Sequence, residues 1–345
     1  MAVFNQTGGW RTARAVLFVL IFGLLNWSLG RVFVHKEMAR IPAGLTERQF
    51  SQCRDRITTL AVGDSHMATG FDPRLFEGSF NFALYGETYA YNYYKLKRVL
   101  ENNPRIRTVL LPLDLHSFSS WRADRELRDF YWIRYVDYLE LGWIRREPLE
   151  YLGKYIHGRF FPYQGEFAAL LGGSGRDSAT PRVPRPETIQ GFVLRTGTYD
   201  VKRERQAVRR IKLHLSGQKA FDDVSARYFR KILEMCSAGG INLVLIKFPV
   251  SEPYYRWAMK LMPRPEIYAR VDEMIKPFRN VRVLDFQKSF FDRDRELFDD
   301  PDHLNEAGAR LLTLEIKRLL SDLTIGDRRF LTLLPARAIL IAGTR

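Results

Sequence analysis

The sequence is poor in cysteine and, relative to its basic residues, poor in acid. Two cysteines among 345 residues, Cys53 and Cys236, exclude a fold held by a disulfide framework, and the sequence leaves open whether they pair. Only one run is apolar enough to span a bilayer, which excludes a polytopic membrane protein. The remaining composition, 46% hydrophobic and 27% charged, is globular and long enough for one large domain or two small ones.

The net charge of +15 raises the question of nucleic-acid binding. The sequence lacks zinc-ligand spacing, a basic zipper and the aromatic signature of RNA-binding sheets, so we expect no nucleic-acid partner. The basic residues are densest in 181–215. They favour a surface that faces anionic lipid headgroups or an anionic glycan.

The apolar run occupies residues 15–34, behind a short basic N-terminus of residues 1–14. Twenty helical residues cover about 30 Å, which is the thickness of a hydrocarbon core. Arg31 is the only charge in the run and is close enough to its end to reach the interface. We predict a single-pass anchor in the inner membrane, with a cleavable signal peptide as the alternative. In both cases the rest of the chain would be extracytoplasmic, in the periplasm.

Beyond the anchor, short apolar runs alternate with amphipathic stretches, which predicts an α/β fold with a parallel sheet. The predicted strands are 57–62, 80–84, 107–113, 241–248 and 281–286, and the predicted helices are 89–101, 222–238, 265–276 and 305–321. The α/β domain would comprise 41–117 and 221–322. An aromatic and basic insertion at 118–220 would interrupt it, and 323–345 would form a C-terminal tail.

The first candidate site motif is Gly63-Asp64-Ser65-His66, directly after the first predicted strand. Ligands of open α/β sheets bind at the carboxyl ends of the strands. Ser65 would begin a helix there, where backbone N–H groups face developing negative charge. Asp64 is expected to hydrogen-bond the turn. Taken alone, the motif is also compatible with an ordinary turn or helix N-cap.

The second motif is Asp300-Pro301-Asp302-His303, before the last predicted helix. A serine nucleophile needs a neutral imidazole to accept its proton and a carboxylate to fix the tautomer. Among six histidines, only His303 has an aspartate three residues before it. Asp302 is expected to cap the following helix. The other candidate bases are His66 and His116, whereas His157 and His214 are expected at the surface.

The third motif is the second predicted strand and the turn after it, from Asn81 to Gly86. A glycine at that turn lets the backbone approach the site and donate its N–H to an oxyanion. Asn81, Asp64, His66 and Asp114 are the further candidates for the oxyanion or substrate site. No group of His, Asp or Glu has metal-ligand spacing in the sequence, so we expect no metal.

Together these motifs resemble the SGNH, or GDSL-type, hydrolase superfamily over about residues 57–322. The resemblance implies a flavodoxin-like three-layer sandwich with a five-stranded parallel sheet, and we expect no cofactor. It also implies Ser65 as nucleophile, His303 as base, Asp300 as its orienting carboxylate, and the N–H groups of Ser65 and Gly86 as oxyanion donors. The sequence departs from the family at 111–116, where Leu-Pro-Leu-Asp-Leu-His replaces a Gly-x-Asn-Asp block.

The anchor, the Gly-Phe-Asp-Pro at 70–73 and the Leu-Asp-Leu at 113–115 are similar to those of membrane-anchored SGNH proteins that accompany membrane-bound O-acyltransferases. Such relatives acylate cell-envelope polymers, as in O-acetylation of alginate or D-alanylation of teichoic acids. The resemblance implies an acyltransferase with a polysaccharide acceptor and a membrane-bound O-acyltransferase as acyl donor. Two alternatives stay open: an esterase of carbohydrate or lipid esters, and a non-catalytic polysaccharide-binding scaffold.

Overall fold

A computed structural model of the chain describes residues 6–121, 131–163, 188–199, 203–215 and 219–322. These residues belong to two compact units. The first contains residues 6–44 and 131–163, and the second contains 45–121 and the described residues from 188 onwards. The segment predicted as one insertion therefore contributes residues to both units.

The described residues form twelve α-helices and seven strands. The helices are α1 (Gln6–Met38), α2 (Pro42–Cys53), α3 (Ser65–Gly70), α4 (Tyr89–Asn102), α5 (Tyr138–Arg145), α6 (Pro148–Phe160), α7 (Arg203–His214), α8 (Asp223–Ala238), α9 (Glu252–Leu261), α10 (Arg264–Ile275), α11 (Asp294–Leu297) and α12 (Glu306–Asp322). The strands are β1 (Thr59–Ala61), β2 (Ser79–Asn81), β3 (Thr108–Pro112), β4 (Thr188–Ile189), β5 (Phe192–Val193), β6 (Asn242–Lys247) and β7 (Val281–Asp285).

Five strands of the second unit form one sheet in the order β2-β1-β3-β6-β7, with every pair parallel. This order corresponds to the doubly wound arrangement 2-1-3-4-5 of flavodoxin-like folds. The mixed α/β class and the five-stranded parallel sheet are thereby confirmed. Strands β4 and β5 form a separate antiparallel pair.

The central strands are buried on both faces, which explains their continuous apolar sequence. Val109–Leu111 of β3 and Leu243–Ile246 of β6 have almost no exposed surface. Four predicted strands coincide with observed ones, but β2 lies at 79–81 instead of 80–84. Residues 82–84 still lie beside β1, because the N–H groups of Phe82 and Leu84 donate to the carbonyls of Ala61 and Gly63. The Ala83 N–H donates to the Asn81 side chain.

Helix α1 is the apolar helix that the sequence predicts, and its candidate membrane-spanning stretch runs from Trp10 to Met38. By length and composition this helix could cross a membrane. Most of its apolar side chains between Val16 and Leu25 are exposed. The four predicted helices of the α/β domain are all present, whereas α9 was not predicted.

The loop after β2 is held by a buried ion pair between Lys95 of α4 and Glu87. The Lys95 ammonium also donates to the Phe82 carbonyl, while Glu87 accepts from the Leu84 N–H at 3.3 Å. Burial raises the pKa of Glu87 to about 7, against the opposing attraction of Lys95. The pair therefore fixes the turn that contains Tyr85 and Gly86.

We expect Lys95→Met to lower the free energy of unfolding by about 3 kcal/mol, because removing one partner leaves the other buried without its counter-charge. Urea denaturation at pH 7.5 measures this change. The double variant Lys95→Met/Glu87→Gln should recover more than half of the loss, since it removes both charges. Equal losses in the single and double variants would contradict the argument.

Candidate active site

The turn between β1 and α3 presents Ser65 at the carboxyl edge of the sheet. Gly63 has φ of +146°, and a Cβ there would lie 2.4 Å from Cδ and Cγ of Pro112, so only glycine fits. Asp64 caps α3 by accepting from the His66 N–H at 3.0 Å, which confirms the prediction that it holds the turn. Ser65 itself is half-buried.

Ser65, His303 and Asp300 form a continuous hydrogen-bonded chain. Ser65 Oγ lies 2.9 Å from His303 Nε2, and His303 Nδ1 lies 2.8 Å from Asp300 Oδ1. Asp300 Oδ1 also accepts from the His303 backbone N–H at 2.9 Å. With the proton on Nδ1, His303 donates to Asp300 and presents the lone pair of Nε2 to the serine hydroxyl. The geometry can therefore support nucleophilic acyl transfer.

A short antiparallel bridge holds the loop that carries Asp300 and His303. Phe298 pairs with Leu304, and the Asp299 N–H donates to the His303 carbonyl at 3.0 Å. Asn305 then caps α12 by accepting from the Gly308 N–H at 3.1 Å. The prediction that Asp302 caps this helix is therefore wrong.

The turn after β2 supplies Tyr85 and Gly86. Gly86 has φ of +82°, which accounts for the glycine. The Tyr85 ring stacks on the His303 ring, with centroids 6.4 Å apart. Among the described residues no acceptor is found for the backbone N–H groups of Ser65 and Gly86, the two predicted oxyanion donors.

Asn81 does not serve the site in the way that the sequence suggests. Its Nδ2 donates to the carbonyls of Met67 and Phe71, both at 2.8 Å, and its Oδ1 accepts from the Ala83 N–H. The side chain is fully buried. Both amide hydrogens are therefore used to hold backbone around the nucleophile turn, and the prediction of a substrate contact is wrong.

A buried layer of histidines and carboxylates lies next to the triad of Ser65, His303 and Asp300. His66 Nδ1 is 2.8 Å from Asp114 Oδ2, and His66 Nε2 is 3.2 Å from Asp302 Oδ2. His116 Nε2 is 3.1 Å from Asp64 Oδ2. Because these carboxylates occupy the imidazole nitrogens of His66 and the Nε2 of His116, neither histidine is positioned as the base, and Asp114 acts on His66 rather than on substrate.

His214 belongs to this layer, so the prediction that it lies at the surface is wrong. It is buried, its Nδ1 lies 2.7 Å from the Tyr254 hydroxyl, and its ring stacks on His116. Its Nε2 is 3.7 Å from Asp302 Oδ2. Burial of His214 follows from the packing of α7 on α9, which the sequence did not predict.

Charge balance within this layer shifts several pKa values. Burial lowers the pKa of His66, but Asp114, Asp302 and Asp64 outweigh burial and raise it to about 10, so His66 is an imidazolium at neutral pH. Burial raises the pKa of Asp302, but His303, His66 and Arg210 hold it well below its ordinary value. Burial likewise opposes a lowered pKa of Asp300, which His303 stabilises as a carboxylate.

Two clusters bring together atoms of the type that bind metal ions. One ligand atom from each of Asp64, His66, Asp114 and His116 lies within 4.8 Å of the others, and the same holds for His66, Asp302 and His303. Sequence spacing does not predict this proximity, because the residues come from separate loops. The two ring N–H groups of the His66 imidazolium donate to the carboxylates of Asp114 and Asp302.

Two arginines of the basic segment complete the site, and sequence reasoning did not single them out for that role. Arg195 donates to Asp299 at 2.5 Å, to Asp300 at 3.0 Å and to the Tyr85 hydroxyl at 3.2 Å. Arg210 of α7 donates to Asp302 at 2.8 Å and lies 3.0 Å from His303 Nδ1. The density of positive charge in 181–215 was their only signal in the sequence.

Comparison with known proteins adds little to this geometry. No family model matches the chain, and no curated protein matches it. One solved structure that is similar to this chain is described as "a putative platelet activating factor from Streptococcus pneumonia". The two share 12% sequence identity, and the TM-score is 0.38. The similarity covers 89% of this chain and 99% of that one, and at this TM-score it carries no argument.

Proposed function

We propose that this chain is an extracytoplasmic, serine-dependent O-acyltransferase that modifies a cell-envelope or secreted polysaccharide, with acetyl as the group transferred. The observation that carries the proposal is the hydrogen-bonded chain from Ser65 Oγ through His303 to Asp300. The resemblance of the motifs to membrane-anchored SGNH proteins supplies the direction of the reaction and the three-layer SGNH hydrolase fold.

In the first step Ser65 Oγ attacks the carbonyl carbon of the acyl donor while His303 Nε2 accepts the hydroxyl proton. The tetrahedral oxyanion is stabilised by the N–H groups of Ser65 and Gly86. The bond to the donor oxygen or sulfur then breaks, and His303 returns the proton to the leaving group. The product is an ester on Ser65.

In the second step a sugar hydroxyl attacks the Ser65 ester, again with His303 Nε2 as the base. The oxyanion forms and collapses as before, and the proton returns from His303 to Ser65 Oγ. The acyl group now forms an ester with the sugar, and the enzyme is regenerated. Asp300 remains ionised in both steps and stabilises the imidazolium of His303.

The cellular setting of the proposal rests on α1. A helix with its length and composition suits a single-pass anchor in the inner membrane, with the α/β domain in the periplasm. The acceptor would be a polysaccharide, and the acyl donor would be supplied by a membrane-bound O-acyltransferase. The exposed basic residues of this chain favour an anionic environment.

Hydrolysis is the second candidate function, and one observation favours it. Ser65 is only half-buried, so water can reach the position from which an acceptor hydroxyl would attack. The same triad would then act as an esterase of carbohydrate or lipid esters. Dependence of product formation on an added acceptor separates the two reactions.

We expect the full chain in detergent to release nitrophenol from p-nitrophenyl acetate and to carry an acetyl group on the Ser65 peptide in mass spectrometry. Ser65→Ala should abolish both signals, because it removes the nucleophile. Ser237→Ala is the matched control, since Ser237 is exposed on α8 and should leave both signals unchanged.

Adding oligosaccharide acceptors to the acetylated protein tests transfer. Acetyl-oligosaccharide that appears as the Ser65 ester disappears supports the transferase, whereas acetate alone supports the esterase. If the wild type and Ser65→Ala are equally inert towards several acyl donors, both enzymatic readings fail and a polysaccharide-binding scaffold takes their place.

A further inference from the structure

Helix α6 of the first unit presents an apolar stripe that the described residues leave partly exposed, between 40% and 83% at each side chain. Leu149, Leu152, Ile156 and Phe160 are all exposed, and Leu149 is 83% exposed. Their spacing of three or four residues aligns them along one side of the helix. Trp143, at the end of α5, adds a ring that is 73% exposed. Contiguous exposed apolar surface of this kind marks an interaction site.

The stripe is not an unpacked core face, because α6 already packs on α5 through a different side. Tyr151 is buried and contacts the ring of Tyr138, with centroids 6.3 Å apart. A Cβ on Gly142 would lie 2.7 Å from Tyr151 Cβ, so the two helices approach closely there. The packing of α6 on α5, which form a helical hairpin, therefore does not use the stripe.

The C-terminal end of α6 lies against the apolar part of α1. Asn26 Nδ2 donates to the Phe160 carbonyl at 2.6 Å, and the Tyr163 hydroxyl donates to Asn26 Oδ1. Pro162 packs beside Gly30, where an added Cβ would lie 3.5 Å from Pro162 Cγ. Asn26 is a buried polar side chain in this part of α1, and residues at the end of α6 supply its hydrogen-bond partners.

This contact fixes the depth of the hairpin relative to the anchor. Asn26 and Gly30 precede Val34, the end of the apolar run, by eight and four residues. At 1.5 Å of rise per residue, they lie about 12 Å and 6 Å inside the run. The C-terminal end of α6 contacts α1 at those positions, so it lies at the depth of the acyl chains and headgroups. The Phe160 end of the stripe lies at the same depth.

We propose that the α5–α6 hairpin is a monotopic membrane element, whose stripe inserts into the lipid leaflet at the Val34 end of α1. The proposal rests on the membrane anchoring proposed for α1 and goes beyond it. Exposed Arg146 and Arg159 flank the apolar residues and would meet anionic headgroups. An interfacial helix with an apolar side and basic flanks has the composition that lipid binding requires.

The experiment uses the full chain in vesicles of phosphatidylcholine and phosphatidylglycerol. In a Cys53→Ser/Cys236→Ala background, single cysteines replace Leu152 or Ile156 on the stripe and carry an environment-sensitive fluorophore. Lipids with a nitroxide on the acyl chain then quench any label within the bilayer. Matched control cysteines replace Glu150 and His157, which are exposed on the polar side of α6. Leu24→Cys on α1 reports the anchor itself.

We expect the Leu152 and Ile156 labels to be quenched at least about twofold more than the Glu150 and His157 labels, as for an amphipathic helix at the interface. Quenching at Leu24 without quenching on the stripe would overturn the hairpin proposal and leave the anchor intact. A blue-shifted but unquenched stripe would show that protein covers it, which also overturns the proposal. Absence of quenching at Leu24 would refute the anchor, and the hairpin proposal with it.

Discussion

Exchanging Asp300 for asparagine is expected to slow acylation of Ser65 by about 10³- to 10⁴-fold. The asparagine amide would favour the His303 tautomer with its proton on Nε2, which cannot accept the proton of Ser65. It would also remove the negative charge that stabilises the imidazolium formed during the reaction. Burst kinetics with p-nitrophenyl acetate measure the acylation rate directly, and the Ser65 adduct confirms the site of reaction.

Asp299→Asn is the matched control for this substitution. Asp299 is adjacent to Asp300, and both aspartates accept hydrogen bonds from Arg195. The Asp299 side chain has no hydrogen bond to His303. We expect its acylation rate to stay within a few-fold of the wild type. A wild-type rate in Asp300→Asn would contradict the assignment of Asp300 as the orienting carboxylate.

Asp302 is too far from His303 Nδ1 to replace Asp300 without a change in the loop. Its Oδ1 lies 3.6 Å from Nδ1, beyond hydrogen-bond distance, and is held by Arg210 at 2.8 Å. Two aspartates in one Asp-Pro-Asp-His motif thus have different partners. Asp300 faces the catalytic imidazole, and Asp302 faces the buried layer behind it.

The parts of the site that could be predicted from sequence are those that local chemistry determines. The Gly63 to Ser65 turn directly follows a predicted strand, and its glycine has φ of +146°. Asp300 and His303 are three residues apart, so one loop brings them together. Neighbouring parallel strands then explain why loops distant in sequence meet at one edge of the sheet.

The parts that could not be predicted depend on tertiary packing. Arg210 precedes Asp302 by 92 positions, and no local pattern distinguishes it from the other basic residues of its helix. His214 looks like a surface residue until α7 packs on α9. Asn81 is polar at a strand end, as a site residue would be, yet the hydrogen bonds of its side chain are all to backbone. The sequence does not predict the partners of these side chains.

The buried layer gives His66 a role distinct from that of a base, because it is the cation between two carboxylates. Asp114 Oδ1 already accepts from the Phe248 N–H at 3.1 Å, and its Oδ2 faces His66. Asp302 is shared by His66 and Arg210. Since Asp302 immediately precedes His303 in the same loop, the charge on His66 helps to hold His303 in position.

We expect His66→Gln to lower the free energy of unfolding by about 3–5 kcal/mol at pH 7, because two carboxylates lose their buried counter-charge. The sign of the pH dependence follows from the raised pKa. A histidine with pKa about 10 when folded and about 6.5 when unfolded stabilises the fold fully below pH 6.5. That contribution is lost as pH rises towards 10.

The difference in urea midpoint between the wild type and His66→Gln should therefore be largest near pH 6.5 and shrink towards pH 10. His157→Gln, on the exposed surface of α6, provides the control and should match the wild type throughout. A difference that stays constant from pH 6.5 to 10 would mean that His66 is neutral in the folded protein. Its contacts with Asp114 and Asp302 would then need another source of positive charge.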